Sequence, residues 1–283
     1  MARILLFISI CLVGIFPAMA GERHFYAPIH NAAWTTSGNI LQCTLSQELP
    51  NFGRVNFNAY AGGNFTLVYE LAREKPVKPV QKAVLRSEPP HWRQNVSSRD
   101  IKTMSISPGK DAIIFSRDAA LRALYELEQG MAPTLHFEDW VDAQDHLRVS
   151  MSSVRLKDAM TSFQQCSGKL HPKGFEDVNR RVFYFRPDKI DLNASYYADL
   201  NHIAAYLKVD PSIKRVVLKG YADERGTPQY NEELSQMRVD AVRNYLLDQD
   251  ISENKLVTIY FGELETKGRL RDSDRRVELE LIR

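Results

Sequence analysis

The chain has 283 residues, enough for about two domains. Hydrophobic residues make up 44%, which suffices for ordinary cores, and 37 Lys and Arg stand against 35 Asp and Glu. That balance gives no global field for nucleic acid or an acidic membrane, and the sequence has no low-complexity tail and no internal repeat.

The first twenty residues read as a targeting segment. Arg3 supplies a positive start, residues 4–15 form an apolar run too short to span a bilayer, and Ala18-Met19-Ala20 is a small-x-small cleavage site. The predicted signal peptide is therefore 1–20, and the mature chain starts at Gly21. Cys11 lies inside the apolar run behind Ile10, so it is not a lipoprotein cysteine. No later stretch reads as a membrane span. The expected product is exported and soluble.

From Gly21 to about Arg99 the pattern is mostly β. Alternating runs at 40–45, 55–60, 65–71 and 80–85 predict strands, separated by turn signals such as Pro50-Asn51-Phe52-Gly53. Gly62-Gly63 between two such runs predicts a hairpin. Ser116 is placed to cap a helix over 117–129, with Gly130 as its stop. Residues 134–137 and 147–151 predict further strands, and 154–166 a closing helix with Leu156, Ala159, Met160 and Phe163 on one face. The result is a mainly β unit over 21–168, linked to the next through 167–174.

This unit shows no catalytic constellation. Its histidines have no metal-ligand spacing, and neither a nucleophile elbow nor a phosphate loop is present, so no metal or cofactor is implied. The aromatics read mainly as core, with Trp92, in the stiff Pro89-Pro90-His91-Trp92-Arg93 loop, as an interface anchor. Cys43 and Cys166 are the two cysteines left after signal removal. In an oxidising compartment an even pair favours a disulfide, the alternative being two free buried thiols.

The second unit, 175–283, alternates strands and helices: strand 182–185, helix 194–207, strand 215–221, helix 231–249, strand 256–261 and strand 276–282. That order predicts a βαβαββ domain with a mixed sheet and helices on one face, so the chain as a whole is α+β. Within it, an apolar strand runs into Gly220-Tyr221-Ala222-Asp223-Glu224-Arg225-Gly226-Thr227-Pro228 and then a long helix with Asn231 as its expected N-cap. Arg238 interrupts the apolar stripe of that helix, between Leu234 and Val242, which is costly unless it is paired. Asp223 is the nearest carboxylate in sequence, and the residues alone equally allow a structural Asp–Arg brace.

This stretch resembles the peptidoglycan-binding signature of OmpA-like domains, closest to its Pal-type form, through Gly220, Ala222, Asp223, Glu224, Arg225, Gly226, Thr227, Pro228, Tyr230, Asn231, Leu234, Ser235 and Arg238. Tyr221 replaces the usual His and Val239 the usual Ala, while Asp274-Arg275-Arg276-Val277 resembles the closing Asn-Arg-Arg-Val with Asp for Asn. In the first unit, Cys43-Thr44-Leu45, Leu49-Pro50-Asn51-Phe52-Gly53, Pro89-Pro90-His91-Trp92-Arg93, Ala132-Pro133-Thr134-Leu135-His136-Phe137-Glu138-Asp139-Trp140 and Cys166 resemble the N-terminal domain of the MotY family, periplasmic T-ring proteins of sodium-driven flagellar motors.

The resemblance implies a non-enzymatic anchor. Its ligand would be the diaminopimelate stem peptide of peptidoglycan, with Asp223 taking the ammonium and Arg238 the carboxylate. Amides around Asp188 and the helix start at Asn231 would complete the carboxylate site, Tyr230, Asn231 and Leu234 would shape the pocket, and Arg276 would support it. Replacing Asp223 or Arg238 is expected to weaken peptidoglycan binding about tenfold or more with little change in melting. The first unit would dock on the basal body rings and recruit MotX, so that the stator complex assembles around it. The rivals are a general Pal-type envelope tether and an envelope hydrolase with a wall-binding tail.

Overall fold

The computed structural model describes residues 21–72, 81–90, 92–93, 95–106, 112–139, 145–223, 226–263 and 272–283. The predicted signal peptide, His91, Trp140, Glu224 and Arg225 lie outside the described residues. In chain order the first part runs β1 (Glu22–Tyr26), β2 (Trp34–Gly38), β3 (Gln42–Leu49), β4 (Gly53–Tyr60), β5 (Phe65–Leu71), β6 (Gln81–Glu88), β7 (Arg99–Ile106) and β8 (Ala112–Phe115), then α1 (Arg117–Glu128), β9 (Ala132–Glu138), β10 (His146–Ser150) and α2 (Leu156–Ser167). Two five-stranded sheets result, in the orders β1-β10-β9-β6-β7 and β2-β3-β4-β5-β8.

The period-2 runs set which side chains enter the core. Cys43, Leu45 and Leu49 of β3, Val55, Phe57 and Ala59 of β4 and Leu67 and Tyr69 of β5 are buried in one cluster with Leu135, Val149, Ala120 and Phe163. Gly62 (φ 76°) and Gly63 (φ 81°) make the turn between β4 and β5, a backbone path that favours glycine. Helix α1 matches its prediction to within a residue, and Gly130 stops it at φ 77°. Helix α2 starts two residues late because Arg155 sits at φ 56° and breaks the helical path. Cys43 on β3 is bonded to Cys166 on α2 across 123 residues, so the disulfide reading holds.

The second part runs α3 (Phe175–Val178), β11 (Arg180–Tyr184), α4 (Ala194–Val209), β12 (Arg215–Ala222), α5 (Pro228–Asp248), β13 (Leu256–Glu263) and β14 (Arg276–Ile282). Its sheet has the order β11-β14-β12-β13, with β12 and β13 parallel and the other neighbours antiparallel. Val216, Leu218, Val277, Leu279 and Leu281 alternate inward and share a core with Leu200, Ile203, Val239, Val242 and Leu246 of α4 and α5. The predicted α+β class and mixed sheet are therefore observed, with the short α3 added.

The two parts meet at close backbone approach. The Gly62 N–H donates to the His171 carbonyl at 3.2 Å, and the His171 N–H to that of Ile40 at 2.7 Å. A Cβ on Gly174 would lie 2.7 Å from the Ala61 carbonyl oxygen, and one on Gly62 would lie 2.6 Å from the Gly174 nitrogen. Only glycines fit that contact. Arg283 lies over the Phe175 ring at 3.8 Å and pairs with buried Asp210 at 3.2 Å, which ties the chain's last residue to the same junction.

Candidate functional site

The site forms where β12 ends, α5 begins and β11 and β14 have their nearest ends. Close packing sets it. A Cβ on Gly220 would lie 2.6 Å from both the Ser235 carbonyl oxygen and the Val239 Cγ2, so glycine lets β12 lie against α5. Helix α5 starts at Pro228, three residues before the expected start. Thr227 is its N-cap, accepting from the Tyr230 N–H at 3.3 Å, and proline at the first helical position needs no donor. Asn231 is thus in the first turn, 1% exposed. A Cβ on Gly226 would lie 2.5 Å from Asn231 Oδ1 and 2.6 Å from Tyr230 Cδ1, so the loop is pressed onto that turn.

Asp223 and Arg238 are both buried here, 7% and 0% exposed, but they are not each other's partners. Among the described residues Asp223 pairs with Arg275, whose Nη1 donates to Asp223 Oδ2 at 2.8 Å while its Nε donates to the Phe185 carbonyl at 3.2 Å. Arg238 donates from Nε to the Lys189 carbonyl at 3.1 Å, from Nη1 to that of Tyr221 at 3.3 Å and from Nη2 to that of Arg186 at 3.3 Å. It also lies 5.4 Å from the centre of the Phe185 ring. Among the described residues no carboxylate comes within ion-pair distance of it. Burial lowers its pKa from the ordinary value and the charge of Arg275 adds to this, while Asp223 and Asp188 oppose it. A guanidinium stays protonated even so.

This geometry bears on two expectations. The Asp188 loop offers Arg238 the carbonyls of Arg186 and Lys189, where amides for a ligand carboxylate were expected. Asp188 itself takes a left-handed φ of 50° and accepts from the Tyr230 hydroxyl at 3.4 Å. From this geometry, replacing Asp223 or Arg238 is expected to lower melting by more than the sequence alone implied. Each is buried and bonded, so removing either leaves charged or polar partners stranded.

Of the remaining predicted residues, Leu234 is buried at 4% exposure and Tyr230 is 42% exposed. Arg276 is not brought to Asp223. It points to the other face of the sheet, 4.1 Å from the centre of the Tyr221 ring, which stacks in turn on Phe261 at 5.0 Å. Its Nε donates to Glu278 at 2.7 Å. Sequence reasoning missed Arg275 as the partner of Asp223 and Ser235 as a tie. The Ser235 hydroxyl donates to the Glu232 carbonyl at 2.8 Å and accepts from the Gly262 N–H at 3.3 Å, joining α5 to β13. The position next to Arg276 in the closing motif was the available signal for Arg275.

A second surface lies on the first part. A cleft of about 680 Å³ opens on the outer face of the β1-containing sheet. Tyr26, Ile29, Pro90, Trp92 and Met131 are among its walls, with Tyr26, Ile29 and Trp92 at least half exposed. On its floor Glu88 accepts from Arg148 at 2.6 Å and bonds His136 at 2.8 Å. Burial alone would raise the Glu88 carboxyl, but those hydrogen bonds and charges outweigh it and hold its pKa at about 2.

The model of the MotY N-terminal domain matches residues 25–172, and that of the OmpA family matches residues 184–278. The sodium-type flagellar protein MotY of Vibrio parahaemolyticus is 25% identical over 247 residues, 87% of this chain and 84% of that protein. The peptidoglycan-associated lipoprotein of Haemophilus influenzae is 45% identical over 89 residues, 31% of this chain and 58% of that one, so the match spans little more than half of that relative. The crystal structure of the peptidoglycan-associated lipoprotein from Burkholderia pseudomallei matches with 31% identity over 36% of this chain and 90% of that one, at a TM-score of 0.33. The chain belongs to the family of the MotY N-terminal domain, and an OmpA-family domain follows in the same polypeptide.

Proposed function

We propose that this protein is a periplasmic structural component of the flagellar motor, cleaved after Ala20, that grips peptidoglycan with residues 175–283 and docks on the basal body with residues 21–168. No residue is given a catalytic role. The observation that carries the wall-binding half is Arg238: a fully buried guanidinium whose described acceptors are all neutral carbonyls. Its desolvation is already met by the fold, so an arriving carboxylate meets a cation that water does not screen. Asp223, held by Arg275, supplies the anion for the ammonium of the same zwitterionic centre. That pair of needs is what diaminopimelate in the stem peptide presents. Tyr230, whose bond to Asp188 is long at 3.4 Å, is the exposed side chain that would move to admit it. The docking half rests on family membership and on the cleft walled by Tyr26 and Trp92, aromatic anchors of the kind that dominate interfaces. MotX and the basal body rings are the partners in this reading, with stator units assembling around them.

The test is a deletion strain complemented with variants. The wild-type chain should restore swimming and sediment with insoluble peptidoglycan. Trp92→Ala should keep sedimenting but lose its place at the motor. Normal swimming by the deletion strain would contradict the motor reading.

A further inference from the structure

We propose that the first residue of the mature chain is a built contact: cleavage at Ala20–Gly21 creates an α-ammonium that pairs with Asp145 and fixes β1 in its sheet. The inference rests on the cleavage position in the proposed function and adds a role for what cleavage leaves behind. The Gly21 nitrogen donates to Asp145 Oδ1 at 2.9 Å, and the Gly21 carbonyl accepts from the His146 N–H at 2.9 Å. From there β1 pairs in parallel with β10, Glu22 opposite His146 through Tyr26 opposite Ser150. The approach is close: a Cβ on residue 21 would lie 2.5 Å from Asp145 Oδ1, so a larger residue there would have to shift that carboxylate. Arg23 forms an ion pair with Asp139 and places its Nε 3.6 Å from Asp145 Oδ2, so the carboxylate is also held from its other side.

In the precursor this nitrogen is a neutral amide. Hydrolysis by a signal peptidase adds one water, leaves a carboxylate on Ala20 and an amine on Gly21, and the amine is protonated at neutral pH. The atom 2.9 Å from Asp145 then carries a positive charge, and a charge-assisted bond is about twice as strong as a neutral one. The Asp145 side chain is only 27% exposed, so water screens the pair incompletely. The gain falls where it matters most. β1 is an edge strand bonded on one side to β10, and it carries His24 and Tyr26 into the cleft proposed for docking. His24 bonds the Ser150 hydroxyl at 2.7 Å, so a loosened β1 also loosens the cleft floor. Export would thereby finish the docking surface.

The test compares the full mature chain beginning at Gly21 with the same chain N-acetylated, which keeps the N–H donor and removes the charge. The free chain should melt about 2–4 °C higher at pH 7. Its α-amine, followed by NMR, should titrate above the ordinary range of about 7.7–8.0 because the carboxylate favours the ammonium. The added stability should therefore be present at neutral pH and be lost as pH rises through that folded value. In Asp145→Asn the difference between free and acetylated chains should vanish. Equal melting of the two wild-type chains, with an ordinary α-amine titration, overturns the pairing. The intact mass of the exported protein should show Gly21 as its first residue, and a different first residue would overturn the inference through its cleavage step alone.

Discussion

Arg238→Ala is the perturbation whose cost is best worked from the geometry. The side chain is fully buried and its three bonds, at 3.1, 3.3 and 3.3 Å, join the β11 loop, through Lys189 and Arg186, to the end of β12 at Tyr221. Truncation strands three carbonyls, each costing about 1–3 kcal/mol if water does not reach it. Against that, a desolvated charge disappears, which returns part of the loss. Removing one member of a buried charged network runs at about 3–5 kcal/mol. At about 4 °C per kcal/mol for a domain of this size, the C-terminal transition should fall by about 12–20 °C. Arg238→Lys keeps the charge but not the planar fork that spans three acceptors, so it should recover only part of the loss. Differential scanning calorimetry of the mature chain reads both. If Arg238→Ala melts within about 2 °C of wild type, the three carbonyl contacts are not holding these loops together.

Two further outcomes concern the first part. Glu88 has a folded pKa of about 2 against an ordinary 4.5, so its contribution is present above about pH 4.5 and lost as pH falls toward 2. Glu88→Gln should lower the melting temperature at pH 7 and flatten its fall between pH 4.5 and 2; an unchanged acid limb would contradict the pairing with His136 and Arg148. The Cys43–Cys166 bond closes 123 residues, which in the chain-entropy model is about 4–5 kcal/mol. Reduction should lower the N-terminal transition and leave the C-terminal one in place, while coincident scans with and without reductant would show that the bond adds no stability.

Periodicity made much of this fold legible. The β3, β4 and β5 runs alternate cleanly because one side faces a core, and α1 carries both a cap position and a glycine stop. β1, β2 and β7 carry no such alternation: their residues are mostly exposed, so nothing in their composition separates inside from outside. β1 finds its partner more than a hundred residues away through backbone bonds, which no side-chain pattern announces. At the site the charged residues could be read from sequence, but their pairing could not. Arg275 is 52 positions from Asp223, and loop charges have no period to assign them. The acceptors of Arg238 are main-chain carbonyls, a group every residue has. The helix start was misplaced because Asn231 has the chemistry of a cap, while Thr227 followed by Pro228 has both the chemistry and the position.

On the proposed function, the buried charges Asp223 and Arg238 take a diaminopimelate centre. Calorimetric titration of the wild-type mature chain with free diaminopimelate, and separately with lysine, tests it without disturbing the fold. The two ligands share an ammonium-bearing chain and differ in the second carboxyl group that Arg238 would receive. Saturable binding of diaminopimelate, at least about tenfold tighter than lysine for one charge-assisted contact, is the predicted result. Equal affinity for the two, or heat from neither, would contradict it.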